Sequence, residues 1–306
     1  MISLSQALAD YLALRRALGY KLVKVERLLR QFLAYLQERG EETIRTEHAV
    51  AWATLPDGNP SWHCTRLSAV RGFAAYLKTI DPACEVPGAE LLAARNRRAT
   101  PYIYSEEEIA ALLGATATLS TAHRAATYRT LIGLLAVTGM RIGEAIRLDR
   151  DDIDPEAELL VVRDAKFAKS RALPLHRSTA SALGRYLRRA DRPPSIGTCA
   201  VFVSTRGGRL DYRTVQWTFA RLLGQAGIEA RSERCRPRLH DLRHTFAVRT
   251  ILDGYRQGGE VEGRLATLAT YLGHTEPAHT YWYLSGAPEL MELAAARLER
   301  HLGDCS

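Results

Sequence analysis

The sequence predicts a mainly α-helical protein of two domains, with a small β-hairpin or sheet confined to the second. Three observations predict it. Apolar residues recur at helical spacing along most of the chain. A basic stretch punctuated by Pro and Gly, residues 81–104, separates two such helical regions. Beyond it, only Leu159–Val162 and Ala172–Leu175 stand out as short strand-like runs. A length of 306 residues fits two domains.

The apolar fraction of 46% is that of a globular protein. No run of about 18 apolar residues occurs, so no transmembrane helix and no membrane partner are expected. Met1–Gln6 has neither a charged n-region nor an apolar h-region, so no signal peptide is expected. The five cysteines (Cys64, Cys84, Cys199, Cys235, Cys305) are scattered without a CxxC pair. That argues against a disulfide framework or a zinc site and fits a reducing cytoplasm. The net charge of +8 points to a polyanion, most simply nucleic acid. Most of the cations are arginines, which clamp phosphate better than lysines do.

Residues 1–80 read as a helical domain. Ser3 caps a first helix with apolar positions Leu4, Leu8, Tyr11, Leu12 and Leu18, stopped by Gly19. A second helix carries Val25, Leu28, Leu29, Phe32, Leu33 and Leu36 and ends at Gly40. Thr46 is placed to cap a short third helix. The turn Pro56–Pro60 precedes a fourth, with Cys64, Leu67, Val70, Phe73, Ala74 and Leu77 on one face. Arg66, Arg71 and Lys78 lie on the other, which is either a DNA-facing or a solvated surface. Residues 81–104 read as a linker carrying Arg95, Arg97 and Arg98, the makings of a strap across DNA; residues 89–95 are compatible with helix.

The second domain, 105–306, opens on a capping box, Ser105 with Glu108. A long buried helix follows from about Thr121 to Val137 and stops at Gly139. A short helix spans Ile142 to Leu148. The two strand runs flank a cation-rich hairpin, 163–171. Helices are expected at about 177–189, 212–225, 241–253, 262–272, 277–284 and 287–302, with a small strand at Val201–Val203.

Four stretches concentrate groups that can work on a phosphate: Thr138-Gly139-Met140-Arg141-Ile142-Gly143-Glu144, the hairpin with Lys166 and Lys169, His240-Asp241-Leu242-Arg243-His244-Thr245, and Leu272-Gly273-His274 followed by Thr280-Tyr281-Trp282-Tyr283. Arginine is a fixed bidentate clamp for phosphate oxygens. Histidine exchanges protons near neutral pH, and tyrosine can form a covalent intermediate. Arg141 follows a helix-ending glycine, so its side chain can leave the core. On a helix, His240 and Arg243 share a face; His244 lies about 100° round, which suits a structural role.

Together these stretches resemble the tyrosine recombinases, the phage integrase family, over roughly residues 105–290. They match T-G-x-R-x-x-E, a hairpin like G-K-G-x-K-x-R-x-x-P-L, H-x-x-R-H-T and L-G-H. The first helical domain is similar to that family's core-binding domain in size and position, and the second is similar to its catalytic domain. The resemblance implies that Arg141 and Arg243 bind the scissile phosphate and that Glu144 buttresses them. It implies that His240 and His274 supply acid/base and hydrogen-bonding groups. Lys166, with Lys169 as the runner-up, would protonate the leaving 5′ oxygen. Ala165 and Phe167 replace the glycines usual beside that lysine. The nucleophile follows L-G-H by nine residues, which selects Tyr283 over Tyr281. His279-Thr280 stands where a T-T pair is frequent.

The chemistry fits the residues. Attack on a phosphodiester concentrates negative charge that two arginines and a histidine can stabilise. A phosphotyrosine stores the bond energy, so no cofactor is expected. No carboxylate cluster suited to magnesium occurs, so no metal is expected. Arg231, Arg234, Arg236 and Arg238 add charge ahead of the third stretch. The resulting expectation is a site-specific recombinase or integrase acting on double-stranded DNA through a 3′-phosphotyrosine. The resemblance implies a dimer per site, a tetramer in synapsis, a Holliday-junction intermediate and a C-shaped clamp. The segment 287–302 is amphipathic and would dock on a neighbouring protomer or on its own core. The rivals are a type IB topoisomerase-like relaxing enzyme and a non-catalytic DNA-binding protein of the same fold.

Overall fold

A computed structural model describes residues 3–92, 99–163, 170–256 and 261–273. The chain divides into two compact units, Met1–Arg98 and Ala99–Ser306. Lys166, Lys169, His274, Tyr281, Tyr283, the helix expected at 287–302 and the arginines at 95, 97 and 98 lie outside the described residues.

In the first unit, α1 (Leu4–Ala17), α2 (Val23–Gln37) and α3 (Thr46–Thr54) pack on α4 (Pro60–Leu77). Ser3 caps α1, accepting from the Gln6 amide at 3.2 Å, and Asn59 caps α4 with Pro60 in its first turn. Leu28, Leu29, Phe32, Leu36, Leu67, Val70 and Phe73 form the buried core. Three local expectations fail for identifiable reasons. Leu18 lies beyond α1 and is 62% exposed. Thr46 does not cap α3; the Glu85 carboxylate accepts its amide at 2.8 Å from 39 residues away. Arg66 does not face outward. It is buried over the Trp52 ring, 3.7 Å from the centroid, and donates to the Trp52 carbonyl. Arg71 donates to the Pro87 and Gly88 carbonyls and so pins the segment after α4. Cys84 joins the core of this unit as well.

The second unit is built on α6 (Ala122–Thr138), a helix buried on most of its sides. It packs against α5 (Glu106–Ala115), α7 (Ile142–Arg147), α8 (Arg177–Leu187) and α10 (Asp241–Arg256). α9 (Tyr212–Gln225) lies on α5, and α11 (Val261–Leu272) lies on α10. The capping box at α5 forms as expected: Ser105 accepts from the Glu108 amide and the Glu108 carboxylate accepts from the Ser105 amide. Tyr102 and Tyr104, just upstream, are buried in the core of this unit.

The sheet has three antiparallel strands in the order β1 (Ile153–Asp154), β2 (Leu159–Val162), β3 (Arg171–Pro174). Leu160 pairs with Leu173 and Val162 with Arg171, so Arg171 closes the described end of the hairpin. β1 is too short to have a sequence signature. Val201–Val203 is not a strand of this sheet; the fully buried segment makes only isolated bridges beside it.

Candidate active site

The turn after α6 begins the site. Gly139 ends the helix at φ +58°, and a Cβ there would come within 2.4 Å of the Phe246 ring. Both the left-handed backbone and the space require glycine. The reversal places Arg141 as the residue preceding α7. Glu144, three residues on, accepts from the Arg141 amide at 2.9 Å through Oε2 and from its Nη1 at 2.9 Å through Oε1. The carboxylate is thus fixed by the turn that presents the arginine.

A second guanidinium reaches the same carboxylate. Arg171, on β3, donates through Nη2 to Glu144 Oε2 at 2.8 Å and through Nη1 to Oε1 at 3.2 Å. Glu144 is only 4% exposed. Burial by itself would raise its pKa, but the Arg171 guanidinium and the amide and side chain of Arg141 outweigh that and draw it down to about 2. Glu144 is therefore ionised throughout the useful pH range.

The last residues of α11 and the glycine that follows supply carbonyls to three arginines. Arg171 Nε donates to the Tyr271 carbonyl at 2.8 Å, Arg243 Nη2 to Leu272 at 2.7 Å and Arg141 Nη2 to Gly273 at 3.2 Å. Arg243 Nη1 also donates to the Gly139 carbonyl at 2.9 Å. The first and third sequence boxes, β3 and the L-G-H turn thereby converge through backbone acceptors. Helix C-terminal carbonyls have no partners within their helix, which makes them natural seats for cations. Arg243 is 3% exposed, whereas about a third of the Arg141 side chain stays open, 34%.

His240 lies in the turn immediately before α10, not on it. It nevertheless stays beside Arg243, whose amide donates to the His240 carbonyl at 3.1 Å. Desolvation and the guanidiniums of Arg243, Arg141 and Arg238 push its imidazole down to about 4. His240 remains exposed at the surface, so the three cations are the firmer cause. His244 stands edge-on to it, ring centroids 4.9 Å apart, and its Nε2 is 3.9 Å from Asp241.

Of the residues singled out from sequence, the fold brings together Arg141, Glu144, His240 and Arg243. Lys166, His274 and Tyr283 fall outside the described residues. Arg171 was missed as a site residue, although its place in the hairpin pattern was the available signal. Two of the four arginines before the third box have structural partners. Arg238 forks onto buried Asp241, and Arg231 lies over the Tyr102 ring and donates to the Ile103 carbonyl. Among the described residues, no group of three His, Cys, Asp or Glu side chains could hold a metal ion, and no helix is long and apolar enough to cross a membrane.

Known proteins resemble the chain as follows. The phage integrase family model matches residues 103–289. The y4rB protein of Sinorhizobium fredii, named as an integrase/recombinase, is 41% identical over 99% of both chains. The tyrosine recombinase XerD of Mycobacterium tuberculosis is 31% identical over 91% of both. Among solved structures, a lambda integrase tetramer bound to a Holliday junction superposes with a TM-score of 0.60 at 19% identity, covering 92% of this chain and 77% of that one. With Arg141 and Arg171 on one buried glutamate, Arg243 on the carbonyl next to the one that holds Arg141, and the family model spanning that whole region, the chain belongs to the phage integrase family of tyrosine recombinases.

Proposed function

We propose that the protein exchanges strands between double-stranded DNA sites through a 3′-phosphotyrosine, acting in the cytoplasm. The observation that carries this reading is the shared anchoring of Arg141 and Arg243 on consecutive carbonyls, Gly273 and Leu272, with ionised Glu144 orienting the first. Two guanidiniums held this way are preorganised for one phosphate. They need not reorganise as charge builds on its non-bridging oxygens.

In this mechanism the Tyr283 oxygen attacks the scissile phosphorus. The Oη–P bond forms as the P–O5′ bond breaks. The phenol proton passes to a neutral imidazole, for which depressed His240 is suited, and Lys166 protonates the departing 5′ oxygen. His274 donates to a non-bridging oxygen. Attack of a 5′-hydroxyl from a partner duplex reverses the step, so no external energy source is needed. The protein would act as a dimer on each site and a tetramer in synapsis, as the lambda integrase tetramer on its junction suggests.

Nicked suicide duplexes tiled across DNA flanking the chain's own gene test the reading. The nick lets the 5′ fragment diffuse away and traps the adduct. A covalent protein–DNA adduct should form, vanish in Tyr283→Phe and persist in Tyr281→Phe on denaturing gels. Joining of two supplied sites excludes simple relaxation. No adduct on any tile would favour a DNA-binding protein that does not cleave.

A further inference from the structure

Arg171 ties three of the matched motifs together. Its three guanidinium nitrogens each donate to a protein acceptor: Nη1 and Nη2 to the two oxygens of Glu144, and Nε to the Tyr271 carbonyl. Its side chain is 13% exposed. The turn above it leaves room by omission. Gly273, at φ +68°, would place a Cβ 2.9 Å from Arg171 Nη1. That glycine's carbonyl holds Arg141.

We propose that Arg171 is a positioning residue for phosphoryl transfer, bridging Glu144 to the α11 terminus so that Arg141 is held with part of its donor set turned outward. The proposal rests on the strand-transfer reading above. Its logic is competition. A lone carboxylate beside Arg141 could take both of its forked donors and neutralise it. With Arg171 on the other side, Glu144 gives Arg141 Nη1 only Oε1, and Gly273 takes Nη2. One glutamate then serves two arginines, which leaves the group of three with a net positive charge. The same bridge ties β3, and so the described end of the hairpin, to the turn that holds both phosphate-binding candidates. In this proposal Arg171 positions Arg141 and binds no phosphate itself, an assignment that the salt dependence of DNA affinity tests directly. Lysine cannot replace it, since a single ammonium cannot span a carboxylate and a carbonyl in fixed geometry.

The test is single-turnover adduct formation on the trapping duplex that wild type cleaves, alongside duplex affinity measured over a range of salt. At saturating DNA, Arg171→Ala should slow adduct formation by about 100-fold, the scale of a misplaced reacting group. Affinity should change only a few-fold. The slope of log K against log salt should match wild type, because no phosphate contact is lost. Arg171→Lys should recover little of the rate. Arg171→Ala combined with Glu144→Gln should be no slower than the slower single variant, because the two act as one unit. Wild-type rates in Arg171→Ala overturn the proposal, as does a salt slope lowered by about 1, which would make Arg171 a phosphate ligand. If Arg171→Ala melts below the assay temperature, Arg171→Lys decides: a folded lysine variant reacting at the wild-type rate shows that charge alone suffices and overturns the bridge. A wild-type chain that forms no adduct on any duplex overturns the strand-transfer reading and this one with it; active wild type with equally active variants overturns this one alone.

Discussion

Arg66 in the first unit and Arg243 in the second are both nearly inaccessible, 7% and 3% exposed, and both donate to backbone carbonyls. Their surroundings differ. Arg66 lies over the Trp52 ring; among the described residues it has no ion pair and its Nε no hydrogen-bond partner. Burial lowers its pKa. Its aliphatic stem and flat face fill a core, as amphipathic side chains often do. Arg243 is instead anchored where Arg141, Arg171 and Glu144 already meet. Burial of an arginine therefore says little about function. Convergence of several on acceptors from different motifs says much more.

The largest expected effect sets the two apart. Arg243→Ala should cut adduct formation by about 10³-fold on the trapping duplex, the upper range for removing one preorganised donor. Arg66→Met, which keeps the volume and loses the charge, should leave adduct formation within a few-fold of wild type. A comparable loss in Arg66→Met would break the comparison and return Arg66 to the DNA surface.

This contrast also marks what sequence could reach. Arg141, Glu144, His240 and Arg243 were legible because each sits in a box with fixed spacing, and a box constrains the fold locally. The helices were legible from apolar spacing and from caps such as Ser3 and Ser105. Arg66 was misread because helical position alone put it opposite Leu67 and Val70; nothing local revealed that Trp52, fourteen residues earlier, would cover it. Glu85 capping α3 from 39 residues away is the same kind of fact. Arg171 was the reverse case. Its motif position was visible, but its partners Glu144 and Tyr271 lie 27 and 100 residues away. Long-range pairings of this kind are set by tertiary packing, which one sequence does not display.

A smaller effect should separate the two environments by stability. Glu144→Ala leaves nearly buried Arg171 without a counter-charge among the described residues. Removing one member of a buried pair costs about 3–5 kcal/mol, read as a lower denaturant midpoint. Arg66→Met removes no ion pair. It loses a cation–π contact and a hydrogen bond while relieving an orphaned Nε, so about 1 kcal/mol is expected. Equal costs for the two variants would mean that the Glu144 cluster adds nothing beyond packing.

The smallest effect is a difference in pH profile, and it tests whether the clustered cations act on one another. His240, ordinarily near 6.5, is held down at about 4 in the free protein. A folded-state value below the unfolded one means that the folded chain resists protonation. His240 therefore disfavours folding increasingly as pH falls from about 6.5 to about 4. Glu144 runs the other way: its contribution to stability is full above the ordinary carboxylate value of 4.5 and is lost progressively as pH falls from there to about 2. Between pH 8 and 5, then, His240 stays neutral and Glu144 stays charged. The acid limb of kcat/KM, which reports the free enzyme, should fall well below pH 6.5. Arg243→Gln removes the strongest of the three repelling cations and should move that limb upward, toward 6.5. Arg66→Met, in the other unit, should leave it where it is. A bound DNA phosphate adds negative charge beside the imidazole and raises its pKa, so the limb of kcat should lie above that of kcat/KM in wild type. Coincident limbs at 6.5 in all three proteins would mean that the guanidiniums around His240 are screened from it, and that it enters the reaction as an ordinary histidine.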